Sequence, residues 1–247
     1  MKAVILAAGI GSRLSPYTNI IPKALMPISL DNSGKFRSIL EQLIYQISLA
    51  GIAEIILVVN YKAEVIKSYL GDGERFGIKL IYVEQEVLDG NGGAYYRAQK
   101  YIEPGESVFI TDCDNFLSDD SCIKQFTDFH VKQKNDISVG TFPVEDITKY
   151  AIIQVDGSGN PADIYEKPSD REIWGNTAKS GMLILGSELA QSSREISRTP
   201  ENEYTTTMII SHAIQKDKKT GLFPIGCEFT DIGTWKDYIR IFKGQLA

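Results

Sequence analysis

Residues 6–25 read LAAGIGSRLSPYTNIIPKAL, a glycine-bearing loop set directly behind the apolar run KAVIL (residues 2–6). A short apolar run bounded by glycine reads as a buried strand. Lys2–Leu6 is therefore expected to open an α/β sheet and deliver the loop to its C-terminal edge, where such folds bind ligands. Two glycine motifs compete for the loop, and neither fits. Gly9 and Gly11 supply the first two glycines of GxGxxG, but position 14 is Leu14. The next strand-like run, EIILVVN (54–60), ends in Asn60 where a dinucleotide site needs an acidic residue for the ribose. A P-loop needs GxxxxGK followed by Ser or Thr, whereas Gly11 is followed by Ser12 and Arg13. What remains is a turn whose backbone N–H groups can face an anion, with Arg13 and Lys23 as fixed cations. Pro16 and Pro22 stiffen the segment and disfavour helix.

Strand-like and helical patterns alternate along the rest of the chain, the mark of an α/β fold. Arg37–Ala50, Lys62–Leu70, Gly92–Ile102 and Asp119–Lys134 have helical patterning, and Glu54–Asn60, Ile78–Val83 and Ser107–Thr111 read as strands. The second half changes character. ISVGTF (137–142), AIIQVD (151–156) and SGMLIL (180–185) are strand-like, and DGSGNP (156–161) reads as a hairpin turn ahead of IYEKP (164–168). EYTTTMIISHAIQK (203–216) reads as a helix, GLFPI (221–225) as a strand, and a last helix is expected from Thr234. A mixed, mostly parallel sheet with helices on both faces follows, in a single domain over residues 1–247.

Composition narrows the function classes. With 247 residues and 43% apolar content the chain can bury one large core. Its 26 basic and 32 acidic residues give a net charge of -6, which suits a soluble enzyme and argues against a general nucleic-acid surface. Cys113, Cys122 and Cys227 are an odd number without CxxC spacing, so neither a disulfide framework nor a thiolate zinc site is expected, and a reducing, cytoplasmic setting is. KAVILAAG is too short to span a membrane and lacks a signal-peptide pattern. His130 and His212 have no second histidine at i+4, so structural roles are expected for both.

The opening stretch resembles the signature of the sugar-phosphate nucleotidylyltransferases, roughly LAAGxGxRLxPxT followed by PK. That resemblance implies a three-layer Rossmann-like nucleotidyltransferase fold, with a nucleotide-binding part over about 1–115 and a sugar-phosphate-binding part over about 116–247. It implies that Leu6, Ala8, Gly9 and Gly11 wrap a triphosphate, with Arg13 on its phosphates and Lys23 near the α-phosphorus as the catalytic cations. YVEQEVLDGNGGA (82–94) is similar to the family's base-reading segment, so Gln85 and Gly90 are expected on the nucleobase. A glutamine amide offers a donor and an acceptor, which favours UTP or dTTP. ITDCDNFL (110–117) resembles the family's GDN step, with Cys113 in place of its glycine. Asp114 takes the role of metal ligand and Asn115 lies near the sugar. Asp112 is a further carboxylate whose expected role is a cap or hydrogen bond ahead of metal binding.

IYEKP matches the family's EKP step, giving Glu166 to sugar hydroxyls and Lys167 to the acceptor phosphate, and Gly181 joins the sugar-phosphate set. KYAIIQVD (149–156) departs from the family by placing Ala151 where a glycine is usual, which leaves the acceptor open. FTDIGTWKDY (229–238) resembles WxDxGTxxDY and supplies Asp231 as the second metal carboxylate. The resemblance runs from Met1 to about Tyr238, so a stand-alone transferase without an added β-helix domain is expected. The implied activity joins an NTP to a sugar 1-phosphate with Mg2+, in a possible homo-oligomer. Alternatives are cytidylyl or guanylyl transfer to a heptose phosphate or a phosphocholine-like alcohol phosphate, or a catalytically silent regulatory paralogue.

Overall fold

The computed structural model describes residues 1–31, 33–192 and 203–245. Alternation along the first strand, β1 (Lys2–Ala7), sets the layers: Ala3, Ile5 and Ala7 enter one apolar cluster, and Val4 and Leu6 enter another. Both faces of the strand are thus buried, as a parallel sheet covered by helices requires. After β1 come the short hairpin strands β2 (Pro27–Leu30) and β3 (Phe36–Ser38), then α1 (Ile39–Leu49), β4 (Glu54–Val59), α2 (Ala63–Leu70), β5 (Lys79–Glu84) and α3 (Asn91–Ala98). β6 (Val108–Asp112), β7 (Asn115–Leu117), α4 (Cys122–Gln133), β8 (Ile137–Pro143), β9 (Ala151–Val155) and β10 (Pro161–Glu166) follow. The described elements close with α5 (Arg171–Trp174), β11 (Thr177–Leu185), α6 (Ser187–Ser192), α7 (Thr206–Gln215), β12 (Thr220–Pro224), β13 (Phe229–Asp231) and α8 (Trp235–Gly244).

The main sheet has nine strands among the described residues, in the order β10-β9-β11-β6-β1-β4-β5, with β8 pairing β11 and β12. The run β6-β1-β4-β5 is wholly parallel, and β11 is antiparallel to β6, β8 and β9. Helices α1, α2 and α4 contribute to one cluster and α3, α6 and α7 to the other, so both faces are covered. This is the expected mixed α/β architecture.

Capping explains where the helices begin. Residues 36–38 pair with β2 rather than starting a helix, because Ser38 forms a capping box: its Oγ accepts from Glu41 N at 3.1 Å and Glu41 Oε2 accepts from Ser38 N at 2.8 Å. Thr205 caps α7, which places the threonines of TTTM at the helix start, where a hydroxyl is useful. Thr234 and Asp237 close the same kind of box on α8, as the sequence suggests. Of the tyrosine pair on α3, Tyr95 is fully buried and Tyr96 is exposed.

His130 is buried at the end of α4, with Nδ1 2.9 Å from Ser138 Oγ. Burial pushes its pKa down, so the ring stays neutral in the fold while the unfolded chain takes up a proton near pH 6.5. The unfolded state binds more protons in that range, and stability is lost as pH falls below about 6.5. His130→Asn should therefore show a smaller drop in urea midpoint than the natural protein between about pH 7 and pH 5.5. Equal drops in the two proteins would remove His130 as the cause.

Candidate active site

A cavity of about 560 Å³ opens at the C-terminal edge of β1 and β6. Its position follows from register. Leu6 lies opposite Asp112 in the β1–β6 pair, and Cys113 N–H donates to Leu6 O at 3.1 Å, so the glycine loop and the DCDN segment leave the sheet side by side. Leu6, Ala8, Gly9 and Gly11 line the cavity on the loop side. Gly11 has φ +69°, and a Cβ there would lie 2.9 Å from Lys23 Cβ, so glycine lets the loop fold onto its own lysine. Leu14, in place of a third glycine, is fully buried among Met26, Ile28, Phe116 and Ile232. It anchors the loop in the core.

Charges of both signs converge on the floor. Lys23 Nζ donates to Asp114 Oδ2 in an ion pair that is largely shielded from solvent. Asp231 arrives from far along the chain because β13 pairs antiparallel with β7, setting Asp231 opposite Asn115, and Ile232 N–H donates to Asp114 O at 2.9 Å. Arg13 lies across Gly233, where a Cβ would come within 3.1 Å of its guanidinium nitrogens. Burial, then the Asp114 charge, pushes the Asp231 carboxyl up. Burial likewise pushes Asp112 up to about 6, with Asp114 adding to the rise and Lys179 and Lys23 opposing it.

Asp114 and Asp231, brought to one floor, form an oxygen donor pair suited to a hard divalent cation. Among the described residues no three His, Cys, Asp or Glu side chains converge as a metal cluster, so Asp114 and Asp231 would hold such an ion together with substrate oxygens. The Asn91 side chain near Asp112 opposes the rise of that carboxyl. Cys113 is no nucleophile: burial, with the Asp114 charge, pushes its thiol up to about 12.

Gln85 and Gly90 line one end of the cavity. Gln85 is buried, and its Nε2 donates to Asp89 Oδ1 at 3.1 Å and to Gly90 O at 3.0 Å. Gly90 has φ +92°, and a Cβ there would lie 2.3 Å from Tyr204 O, so backbone packing alone demands glycine.

Asn115, Glu166 and Gly181 line the other end. Asn115 Nδ2 donates to Thr111 Oγ1 at 3.0 Å, and Glu166 Oε1 accepts from Thr207 Oγ1 at 2.6 Å. Lys167 is not brought to the cavity. It sits exposed at φ +50°, its N–H bonded to Tyr150 O at 2.9 Å. The lysines that line this end are Lys149, paired with Asp146 at 2.9 Å, and Lys179. Neither stands out in the sequence reading, where Lys179 falls just ahead of the strand-like run SGMLIL (180–185). Its setting is a register shift: β11 slips against β8 between Lys179 and Leu183, which turns residues 179–181 toward the cavity.

A Cβ on Gly181 would stand 2.4 Å from Asn115 Nδ2 and 2.7 Å from Asp112 Oδ2. Gly181→Ala should therefore displace both side chains and lower unfolding stability by about 1–3 kcal/mol, the usual range for overpacking. Urea denaturation measures it, and an unchanged midpoint would show that the floor can yield.

A family model described as nucleotidyl transferase matches residues 2–247. A UTP–glucose-1-phosphate uridylyltransferase of Synechocystis is 29% identical over 272 residues, covering 100% of this chain and 64% of that protein. A mannose-1-phosphate guanyltransferase of Neurospora crassa is 29% identical over 247 residues, covering 97% of this chain and 62% of that protein. The chain thus spans just under two thirds of the length of these relatives. Among solved structures, one described as a glucose-1-phosphate thymidylyltransferase from Bacillus anthracis superposes with a TM-score of 0.86 at 23% identity, covering 99% of this chain and 95% of that one. A UDP-glucose pyrophosphorylase complexed with UDP-glucose gives a TM-score of 0.84 at 21% identity, covering 99% of this chain and 98% of that one. These likenesses show a shared fold.

Proposed function

The chain belongs to the nucleotidyl transferase family, and we propose that it transfers a nucleotidyl group from UTP or dTTP to a sugar 1-phosphate, giving an NDP-sugar and pyrophosphate. The observation that carries this reading is the meeting of Lys23, paired with Asp114, with Arg13 and Asp231 at the mouth of the glycine loop. A dinucleotide needs only to be held. Cations set against paired carboxylates suit a triphosphate that is cut at its α-phosphorus.

In the reaction a phosphate oxygen of the acceptor attacks the α-phosphorus in line, the bond to the β-phosphate oxygen breaks, and pyrophosphate leaves with that electron pair. A phosphomonoester is already largely dianionic near neutral pH, with a second pKa of about 6, so no general base is required. The work left to the protein is positioning and charge neutralisation. Lys23 and Arg13 face the triphosphate. Asp114 and Asp231 would hold Mg2+, which when bound offsets phosphate charge. Asn115 and Glu166 take acceptor hydroxyls in this proposal. Lys179, as the lysine on the displaced segment of β11, takes the acceptor phosphate in this proposal, and the exposed Lys167 is left out of that set.

The guanyltransferase among the relatives makes GTP the second nucleotide to test. A matrix of UTP, dTTP, GTP, CTP and ATP against a panel of sugar 1-phosphates, read by pyrophosphate release with Mg2+, should show turnover for UTP or dTTP with one acceptor class. Silence across the matrix would sink the transferase reading.

Two variants probe the roles. Lys23→Ala should keep its thermal unfolding profile and lose roughly two or more orders of magnitude in kcat, the scale of a preorganised electrostatic group. Near-normal turnover would remove Lys23 from the chemistry. Lys179→Ala should raise KM for the sugar phosphate by about tenfold, and Lys167→Ala by less than about twofold, since a charged hydrogen bond carries about 1.5–3 kcal/mol. The reverse order would return the acceptor phosphate to Lys167.

A further inference from the structure

We propose that Asp89 and Arg97, neither of which lines the cavity, are positioning residues that fix Gln85 as a hydrogen-bond acceptor and so select a base carrying a ring N–H: uracil, thymine or guanine. The proposal rests on the reading that the cavity takes a nucleoside triphosphate.

Gln85 follows β5 and is 3% exposed. Its Nε2 carries two hydrogens, and both are spent, one on Asp89 Oδ1 at 3.1 Å and one on Gly90 O at 3.0 Å. A carboxylate and a backbone carbonyl only accept. Turning the amide over would set its oxygen against two other oxygens in a buried place, so chemistry fixes which way it faces. No donor among the described residues reaches Gln85 Oε1, and that side chain lines the cavity. The sequence suggests a group that can both donate and accept, whereas the fold leaves only the acceptor.

Asp89 is held to this task from behind. Its carboxylate is 5% exposed and lies 2.8 Å from Arg97 Nη1, with Nη2 donating to its other oxygen at 3.4 Å. Arg97 also donates to Gly93 O at 2.7 Å, which fixes the guanidinium on its own helix. A Cβ at Gly93 would fall 2.1 Å from Asp89 Oδ1, so the carboxylate fits only because residue 93 is glycine. A buried carboxylate needs such a partner to stay charged, and a charged carboxylate has no proton to offer Gln85. The arginine therefore acts on the base through two intermediaries, Asp89 and Gln85.

An acceptor facing the base edge suits N3–H of uracil or thymine and N1–H of guanine. Cytosine N3 and adenine N1 present a lone pair at that place, and two acceptors in register repel. Cytosine can meet Oε1 with its amino group only by sliding across the cavity.

The test is equilibrium binding of UTP, GTP, CTP and 3-methyluridine triphosphate to the full chain by calorimetry, run beside the pyrophosphate-release assay. The natural protein should bind UTP about tenfold or more tightly than 3-methyluridine triphosphate, in which a methyl group replaces the ring N–H, and than CTP. Asp89→Asn, whose amide can donate to Gln85 Oε1, should bring the UTP-to-CTP ratio to within about threefold. Arg97→Met should move it in the same direction, with the change in KM rather than kcat. Equal affinity of the natural protein for UTP and 3-methyluridine triphosphate would overturn the proposal, whether or not the variants fold. So would a folded Asp89→Asn protein with the natural ratio. Base selectivity without pyrophosphate release would support the Gln85 assignment and sink the transferase reading.

Discussion

The parallel pairing of β1 with β6 is the constraint on which the site depends. Leu6 against Asp112, extended by the bond from Cys113 N–H to Leu6 O, brings a glycine loop and an acidic strand end out of one sheet edge. Strand ends placed together in this way are where open α/β sheets bind ligands. The Ile232 N–H bond to Asp114 O then fastens a third segment to the same edge. Like charges are thereby forced together, which is unfavourable in a partly shielded cavity unless cations are supplied. Lys23 supplies one at Asp114, while burial, with the Asp114 charge adding to it, pushes the Asp112 and Asp231 carboxyls up.

Most of this was legible in the order of the residues, for a physical reason. Strands buried on both faces are continuous apolar runs, so β1, β4 and β6 announce themselves, and the loop and carboxylates directly after them fall at one edge by topology. Leu14 shows how the same stretch misleads when read against a glycine template. It is a core residue, and only the packed structure reveals that the loop is pinned there rather than laid on a helix. The hairpin of β2 and β3 was hidden because its three-residue second strand carries no periodicity and runs straight into a capped helix.

The cations at the Glu166 end of the cavity are less legible. Whether Lys167 or Lys179 enters the cavity depends on a left-handed backbone at one and a register shift beside the other, and neither is written in residue type. Gln85 is a different kind of limit. Its identity is plain in the sequence, but which end of its amide is free depends on Asp89, four residues on, and on an arginine a full helix away. Polarity at that point belongs to the network rather than to the side chain.

The last helix bears on the first loop. Trp235 Nε1 donates to Ser15 O at 3.2 Å, its ring meets Tyr17 edge-on at 6.2 Å, and Tyr238 donates to Pro27 O at 2.8 Å. Ile232 and Ile241 complete the apolar cluster under Leu14. The glycine loop is therefore braced by residues made more than two hundred positions after it. During synthesis Leu14 can pack against Met26, Ile28 and Phe116 well before α8 emerges to add its own contacts to the loop. A form of the chain lacking α8 would carry every charged group named at the cavity floor without the contacts that brace the glycine loop.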